Sequence, residues 1–314
     1  MHNLFQTRSV TVTTSTNCNL LKVYFQSTCS KMSEQRIAVI TGSSSGIGFK
    51  TSLLLAKSGF YTYATVHKLE GEGSRQIIDI AKKEKLPLEV VQLDVNSDES
   101  VTDTINSIVK KHNRIDVIVN NAGYALGGAL EETSMDEIRK QFETNFFGAV
   151  RVMRAAIPFM RIQRSGKIIN ITSMGGRISI PLSTFYHGSK FALEGVSESL
   201  QYELEPFGIK MILIEPGAVG SNFWKSIKIA NGATSPNSPY TQLADNMSKT
   251  FKKMEENAMH PSEVAKTILD VVTSDDPQLR YVVGNDATKI IEARQNMSDK
   301  EFGNLIKDQF KIRS

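Results

Sequence analysis

Short apolar runs alternate with longer stretches of helical periodicity along most of this chain. The runs lie near 36–41, 60–66, 88–93, 115–119, 167–172, 209–215 and 280–284. They read as continuous apolar segments, as in Ile115-Asp116-Val117-Ile118-Val119, rather than as apolar–polar alternations. Strands of a parallel sheet covered on both faces carry that pattern. Helical spacing occupies 47–58, 72–84, 98–113, 134–160, 185–206, 261–273 and 286–294. Seven strands joined by right-handed helical crossovers predict an α/β fold, a doubly wound seven-stranded parallel sheet of Rossmann type in a single domain. Ligands of such a sheet bind beyond the C-terminal ends of its strands.

Two segments break the alternation. Residues 218–260 carry Gly220, Gly232, Pro236 and Pro239 and then a possible helix at 240–257, an insertion long enough to serve as an active-site lid. Phe223 and Trp224 within it either line an apolar substrate pocket or pin the loop to the body. Residues 1–33 contain no acid, few bases and many Ser and Thr. They are expected to be a disordered N-terminal extension produced by an early start, with Met32 the more natural beginning. An organellar transit sequence and a remnant resembling an engineered protease site at 23–27 remain alternatives. The catalytic domain is expected to span 34–314.

Composition narrows the classes. A chain of 314 residues with 40% hydrophobic content builds one large core without a second domain. The net charge of +4 is mild, and its bases are interleaved with acids, so no nucleic-acid face is expected. No apolar run approaches the roughly eighteen residues of a membrane span. Both cysteines, Cys18 and Cys29, precede the first strand, and no zinc pattern or internal repeat is present. A reducing, cytoplasmic location is expected, with organellar targeting by residues 1–33 left open.

The first strand runs into Thr41-Gly42-Ser43-Ser44-Ser45-Gly46-Ile47-Gly48 and then into a helix. Strand, glycine turn and helix in that order favour a dinucleotide site. Gly42 allows the tight turn, Gly46 close approach of a pyrophosphate, and Gly48 close packing of helix on strand. The helix N-terminus offers free N–H groups to the phosphates. Further along, Tyr186-His187-Gly188-Ser189-Lys190 follows Ser173 by thirteen residues. On a helix, Tyr186 and Lys190 share one face a turn apart. The ammonium is expected to lower the tyrosine pKa from its usual value of about 10, so that the phenol can exchange a proton with an alcohol. His187 points off that face and is assigned no role.

Taken together, Thr41-Gly42-x-x-x-Gly46-x-Gly48, Asn120-Asn121-Ala122-Gly123, Asn145, the Ser173/Tyr186/Lys190 set and Pro216-Gly217 resemble the motifs of the short-chain dehydrogenase/reductase family, in its order, over roughly 35–285. The stretches 63–65 and 128–133 look most like the branch of hydroxysteroid- and retinol-dehydrogenase-like enzymes. The resemblance implies a nicotinamide-dependent oxidoreductase interconverting an alcohol and a ketone or aldehyde on a small apolar substrate, without a metal. It implies that Ser173 and Tyr186 bind the substrate oxygen and Tyr186 exchanges the proton. Lys190 holds the nicotinamide ribose, and Asn145 anchors a water linked to Lys190. Gly42, Ser43, Ser44, Gly46, Ile47, Gly48, Asn121, Ala122, Gly123, Tyr186, Lys190, Pro216 and Gly217 are implied cofactor contacts. Asp94 is expected to accept from the adenine amine, with Val95 packed on the ring.

The end of the second strand reads Ala64-Thr65-Val66-His67-Lys68, with no acid to bind a ribose 2′-hydroxyl. In related enzymes this place holds a base for a 2′-phosphate. NADP(H) is therefore expected over NAD(H), bound by His67 and Lys68 with help from Ser43 and Ser44. The resemblance also implies a homodimer or homotetramer through the helices at 134–160 and 185–206. The rival readings are a catalytically silent cofactor-binding sensor or scaffold, and a family member performing epimerisation or enoyl reduction.

Overall fold

The computed structural model describes residues 35–221 and 223–312. The expectation for 1–33 lies outside the described residues. The strands are β1 (Ile37–Ile40), β2 (Tyr61–Val66), β3 (Leu88–Gln92), β4 (Val117–Asn120), β5 (Leu126–Gly127), β6 (Gly166–Ile171), β7 (Ile209–Pro216), β8 (Lys228–Ile229) and β9 (Arg280–Val283). Seven of them form one parallel sheet in the order β3-β2-β1-β4-β6-β7-β9. All seven expected strands are present.

Side-chain alternation along each strand feeds two separate cores. Ile37 and Val39 of β1 face one layer and Ala38 and Ile40 face the other. The first layer is closed by α3 (Asp98–His112), α5 (Gly148–Gln163) and α6 (Thr184–Leu204), through Ile105, Val152, Met160 and Leu204. The second is closed by α1 (Gly46–Lys57) and α8 (Pro261–Thr273), through Leu55, Val264, Ile268 and Val272. Burial on both faces explains why the strands read as continuous apolar runs. Each such fully buried side chain stabilises the fold by roughly 1.5–3 kcal/mol relative to exposure.

The chain leaves β1 towards β2 and β3 on one side and returns to β4 on the other. Register pairs Ile40, the last residue of β1, with Ala64 of β2 and Val119 of β4, so the three strands run in step towards one end of the sheet. That reversal of strand order opens a crevice above the C-terminal ends of β1 and β4.

The remaining elements are α2 (Glu72–Lys83), α4 (Met135–Phe142), α7 (Thr241–Glu256), α9 (Asn285–Asn296) and α10 (Asp299–Phe310). The helix expected over 134–160 is interrupted by a π-turn at Glu143–Phe147. α10 lies beyond every expected helix, although Ser298 and Glu301 form a full capping box at its start. Its Phe302, Ile306 and Phe310 make a third core with Met247 of α7 and Ile178.

The 218–260 insertion is docked at several points. β8 pairs with β5, the Asn231 amide donates to Glu137, and the Tyr240 hydroxyl meets Glu131 at 2.6 Å. No helix among the described residues is long and apolar enough to cross a membrane.

Candidate active site

Gly42 has φ +69°, and a Cβ there would lie 2.9 Å from the Ala122 Cα. A Cβ on Gly48 would fall 2.5 Å from both the Asn121 Nδ2 and the Gly42 carbonyl oxygen. The glycine turn is thus pressed against the segment after β4, and hydrogen bonds lock the two together. Asn121 donates from Nδ2 to the carbonyls of Thr41 (2.8 Å) and Gly42 (3.1 Å). The Thr41 hydroxyl accepts from the amides of Asn121 and Ala122. The Asn121 amide nitrogen therefore braces the turn from behind.

At the start of α1, Ser45 makes no side-chain cap and the first turn holds no acid. The first N–H groups face a large cleft beside Gly42, Ser44, Gly46 and Ile47. Ser43 departs from expectation. It is fully buried, its hydroxyl donates to the Ile40 carbonyl (3.0 Å) and accepts from Ser52 (2.9 Å), and it does not line the cleft. The turn points Ser43 inward as a brace and leaves Ser44 on the surface.

Beyond β2, His67 lines the cleft and its Nε2 stands 3.6 Å from an Asp94 oxygen. Asp94 also accepts from the Asn96 amide (3.0 Å). Lys68, next along, is exposed, and its carbonyl accepts from the Ser74 hydroxyl. Val95, on the cleft wall, packs against Gly148, where a Cβ would come within 2.8 Å of it.

Ser173, Tyr186 and Lys190 come together at the deep end of the same cleft. Ser173 caps the short 3-10 turn Met174–Gly176, its oxygen accepting from the Gly175 amide at 3.0 Å. The same side chain also hydrogen-bonds the Tyr186 phenol. Lys190 is buried, and its Nζ donates to the Ile171 carbonyl (2.8 Å) at the end of β6.

Asn145 sits behind this group, off the cleft wall. Its Oδ1 accepts from the Tyr124 amide, and its Nδ2 donates to the Tyr124 carbonyl and the Ser189 hydroxyl. Ser189 in turn donates to the Tyr186 carbonyl (2.7 Å). The π-turn swings Asn145 inward, so its amide braces α6 at Tyr186 rather than facing a ligand.

Burial decides the protonation energetics. It raises the Tyr186 pKa, with the Ser173 hydrogen bond pulling the other way. This reverses the expected lowering by Lys190, whose ammonium is directed at the Ile171 carbonyl. Burial also brings Lys190 down to about 8, opposed by the charge of Glu194.

His187 was assigned no role from sequence, yet both its ring nitrogens are engaged. Nδ1 meets the Gly175 carbonyl at 2.8 Å, and Nε2 accepts from the Ile180 amide at 3.2 Å. Since one partner only accepts and the other only donates, the ring is neutral with its proton on Nδ1. His187 ties the loop that carries Ser173 to the helix that carries Tyr186. Only the tertiary contact reveals this.

The opposite wall comes from the insertion. The Phe223 ring lies 6.0 Å from that of Tyr186, and Trp224 packs against Phe251 of α7 while donating to the Val219 carbonyl. Of the two readings, Phe223 lines the cleft at Tyr186, while Trp224 both lines it and pins the loop. Pro216 and Gly217 also line the cleft. A Cβ on Gly217 would lie 2.1 Å from Asp286, whose other oxygen accepts from the Ala218 amide (2.7 Å). Asp286 is a brace the sequence reading missed.

The cleft measures about 2000 Å³. That exceeds the roughly 300–1,000 Å³ of a pocket for one small ligand. It runs from the uncapped α1 N-terminus to the Tyr186 phenol, with side-chain-free approaches at Gly42, Gly46 and Gly123. The residues present fit a dinucleotide with its phosphates at α1 and its reactive end at Tyr186, with space for a second molecule.

A family model described as short chain dehydrogenase matches residues 36–232. The 3-ketodihydrosphingosine reductase of Bacteroides thetaiotaomicron is 37% identical over 251 residues, covering 80% of this chain and 88% of that protein. Retinol dehydrogenase 8 of Bos taurus is 36% identical over 263 residues, 82% of this chain and 84% of its own. The solved structure of ElxO with NADP bound superposes with a TM-score of 0.67 at 27% identity, covering 81% of this chain and 99% of that one.

Proposed function

The chain belongs to the short-chain dehydrogenase/reductase family of oxidoreductases, and from that premise we propose that it interconverts an alcohol and a ketone or aldehyde on an apolar substrate, using NADP(H) and Tyr186 as general acid and base. The observation that carries this reading is the meeting of Ser173, Tyr186 and Lys190 at the end of a cleft that starts at the glycine turn. The cofactor supplies or accepts the hydride when bound.

The chain's own groups handle the proton. Ser173 and Tyr186 both reach one substrate oxygen, Ser173 by turning to it the hydroxyl proton that otherwise meets the Tyr186 phenol, while its own oxygen stays anchored by the Gly175 amide. Tyr186 is a neutral phenol at neutral pH, since burial raises its pKa, so it is loaded to protonate an oxygen that gains negative charge. Lys190, titrating near 8, holds positive charge beside the site over the neutral range and steadies the phenolate left behind. In the oxidative direction Tyr186 removes the alcohol proton. Asn145 and Ser189 keep the first turn of α6 in place during these transfers.

The cofactor preference rests on His67 and Ser44, with no acid at the end of β2. The NADP in ElxO agrees with this reading. Phe223, Trp224, Leu126 and Ile180 favour an apolar substrate under a lid formed by 218–260. The names of the two relatives, a 3-ketodihydrosphingosine reductase and a retinol dehydrogenase, agree in kind. Exposed Phe147 and Ile162 near α5, with Phe191 and Tyr202 on α6, suit a homodimer or homotetramer.

The test is titration with NADPH and NADH by nicotinamide fluorescence, followed by a panel of apolar ketones and aldehydes. NADPH should bind more tightly, and its oxidation should vanish in Tyr186→Phe while binding survives. Binding with no turnover on any carbonyl or alcohol would favour the sensor reading, and preference for NADH would remove the role given to His67.

A further inference from the structure

Tyr186, Lys190 and Glu194 are spaced by four on α6, so they stack on one face of the helix. Lys190 and Glu194 are both buried. Among the described residues no hydrogen bond or ion pair joins Glu194 to Lys190, although their charges interact. The Glu194 Oε2 accepts from the Arg280 Nε of β9 at 3.0 Å, and the same Nε stands 3.3 Å from Glu215 of β7. Arg177, just past the 3-10 turn, meets the same Glu215 oxygen at 3.0 Å, and Glu198 pairs with the outer edge of Arg280 at 2.5 Å.

The loop after Ser173 is shaped around this group. A Cβ on Gly176 would lie 3.0 Å from the Glu194 Cγ. Glu215 is fully buried, and one oxygen of each of Glu194 and Glu215 has no hydrogen-bond partner among the described residues.

A buried ion network with unsatisfied carboxylate oxygens is a poor stabilising device; apolar side chains of the same volume would often do as well or better. Its position explains it. Lys190 makes no ion pair among the described residues, so its ammonium is a buried charge held by one carbonyl. The charged group that acts on it is Glu194 on its own helix; Glu215 on β7, Arg177 after the 3-10 turn and Arg280 on β9 are linked in turn to Glu194 or to one another. Tyr186 and His187 are the nearby neutral titratable groups.

We propose that Glu194, held ionised by Arg280, is a positioning residue that keeps the Lys190 ammonium charged at the floor of the cleft. The proposal rests on the catalytic reading of Tyr186 and Lys190. It adds that the alkaline limit of the reaction is set one turn further along α6, by a side chain that never meets substrate or cofactor. Arg280 is shared between two buried carboxylates. Burial raises the Glu194 pKa, and the Glu215 charge adds to that rise; hydrogen bonds from Thr172 and Arg280 and the Arg280 charge oppose it and favour the carboxylate, whose charge in turn opposes the burial of Lys190.

The experiment reads Lys190 directly in the cofactor-free protein, by the pH dependence of its 13Cε resonance in lysine-labelled samples, assigned with Lys190→Arg. Glu194→Gln should lower the Lys190 midpoint by about one pH unit or more, because a compensating charge of low-dielectric range is lost. Arg280→Gln, on an edge strand, should move it the same way by less, because Glu194 without its guanidinium partner gives up part of its charge. Glu198→Gln, on the exposed rim, should leave it within about 0.3 unit. In the active enzyme the alkaline limb of kcat should follow the midpoint in each variant. A cooperatively melting Glu194→Gln protein with the wild-type midpoint would overturn the proposal. If that variant does not fold, an unmoved midpoint in folded Arg280→Gln would do so. Absence of turnover in the wild type would count against the catalytic reading alone, since the midpoints are measured without turnover.

Discussion

His187 donates from Nδ1 to the carbonyl of Gly175, 2.8 Å away, and so fastens the Ser173 loop to the helix of Tyr186. The bond, with its companion from Ile180, requires a neutral ring. His187→Leu strands the Ile180 amide and the Gly175 carbonyl and should destabilise the fold by roughly 1–3 kcal/mol in chemical denaturation. Burial lowers the folded pKa of His187 below its ordinary value of about 6.5. The unfolded chain therefore binds a proton before the folded one does. Wild-type stability should fall as pH drops below about 6.5 towards the folded pKa. The leucine variant should lack that contribution to the slope.

Lys190 presents the opposite balance of stability and activity. Its folded pKa of about 8 lies below the unfolded value of about 10.4, so the buried ammonium costs roughly 3 kcal/mol at neutral pH. Lys190→Met should raise the melting temperature at pH 7 while abolishing turnover. The gain is full below pH 8, shrinks as pH rises towards 10.4, and is gone above it, where the wild-type side chain is neutral in both states. Melting curves at pH 7 and pH 9.5 check it; a variant less stable than wild type at pH 7 would mean that the Ile171 bond outweighs desolvation.

Gly48 fills no space of its own but keeps the Asn121 amide against the Gly42 carbonyl. The 2.5 Å approaches of an added Cβ to both groups make Gly48→Ala an overpacking change of roughly 1–3 kcal/mol, directed at the glycine turn. NADPH affinity should drop about tenfold or more by fluorescence titration, with far-ultraviolet circular dichroism unchanged.

Lys167 offers a control far from the cleft. At the start of β6 its Nζ donates to the carbonyls of Val271 (3.2 Å), Val272 (2.9 Å) and Ser274, closing the C-terminal end of α8. A cation at that end meets unpaired carbonyls and the negative end of the helix dipole. Lys167→Met should cost about 1–2 kcal/mol in urea denaturation and leave NADPH affinity unchanged.

The boundary between what was legible in the chain and what was not follows the range of the interactions involved. Strands such as Val117–Asn120 announce themselves because burial on both faces demands apolar residues in succession. Their order with the helices dictates a parallel doubly wound sheet. Gly42, Ser173, Tyr186 and Lys190 were legible because local spacing places them at strand ends or on one helical face. The start of α10 was equally local, in Ser298 and Glu301, and was simply passed over. Other facts depend on groups distant in sequence. Ser43 and Ser44 are neighbours of one chemistry, and only the packing of the turn on Ser52 sends one inward. The π-turn that hides Asn145 has no spacing signal. The rise rather than fall of the Tyr186 pKa comes from the closure of the surrounding elements around the phenol. His187 with Gly175, Asp286 with Ala218, and Arg280 with Glu194 and Glu215 join residues 12, 68, 86 and 65 positions apart. The sequence by itself determined the sheet and the chemistry offered at its edge, because periodicity and short motifs are local. The tertiary structure alone decided which polar groups face the cleft and which are held behind it, because burial and charge act through space.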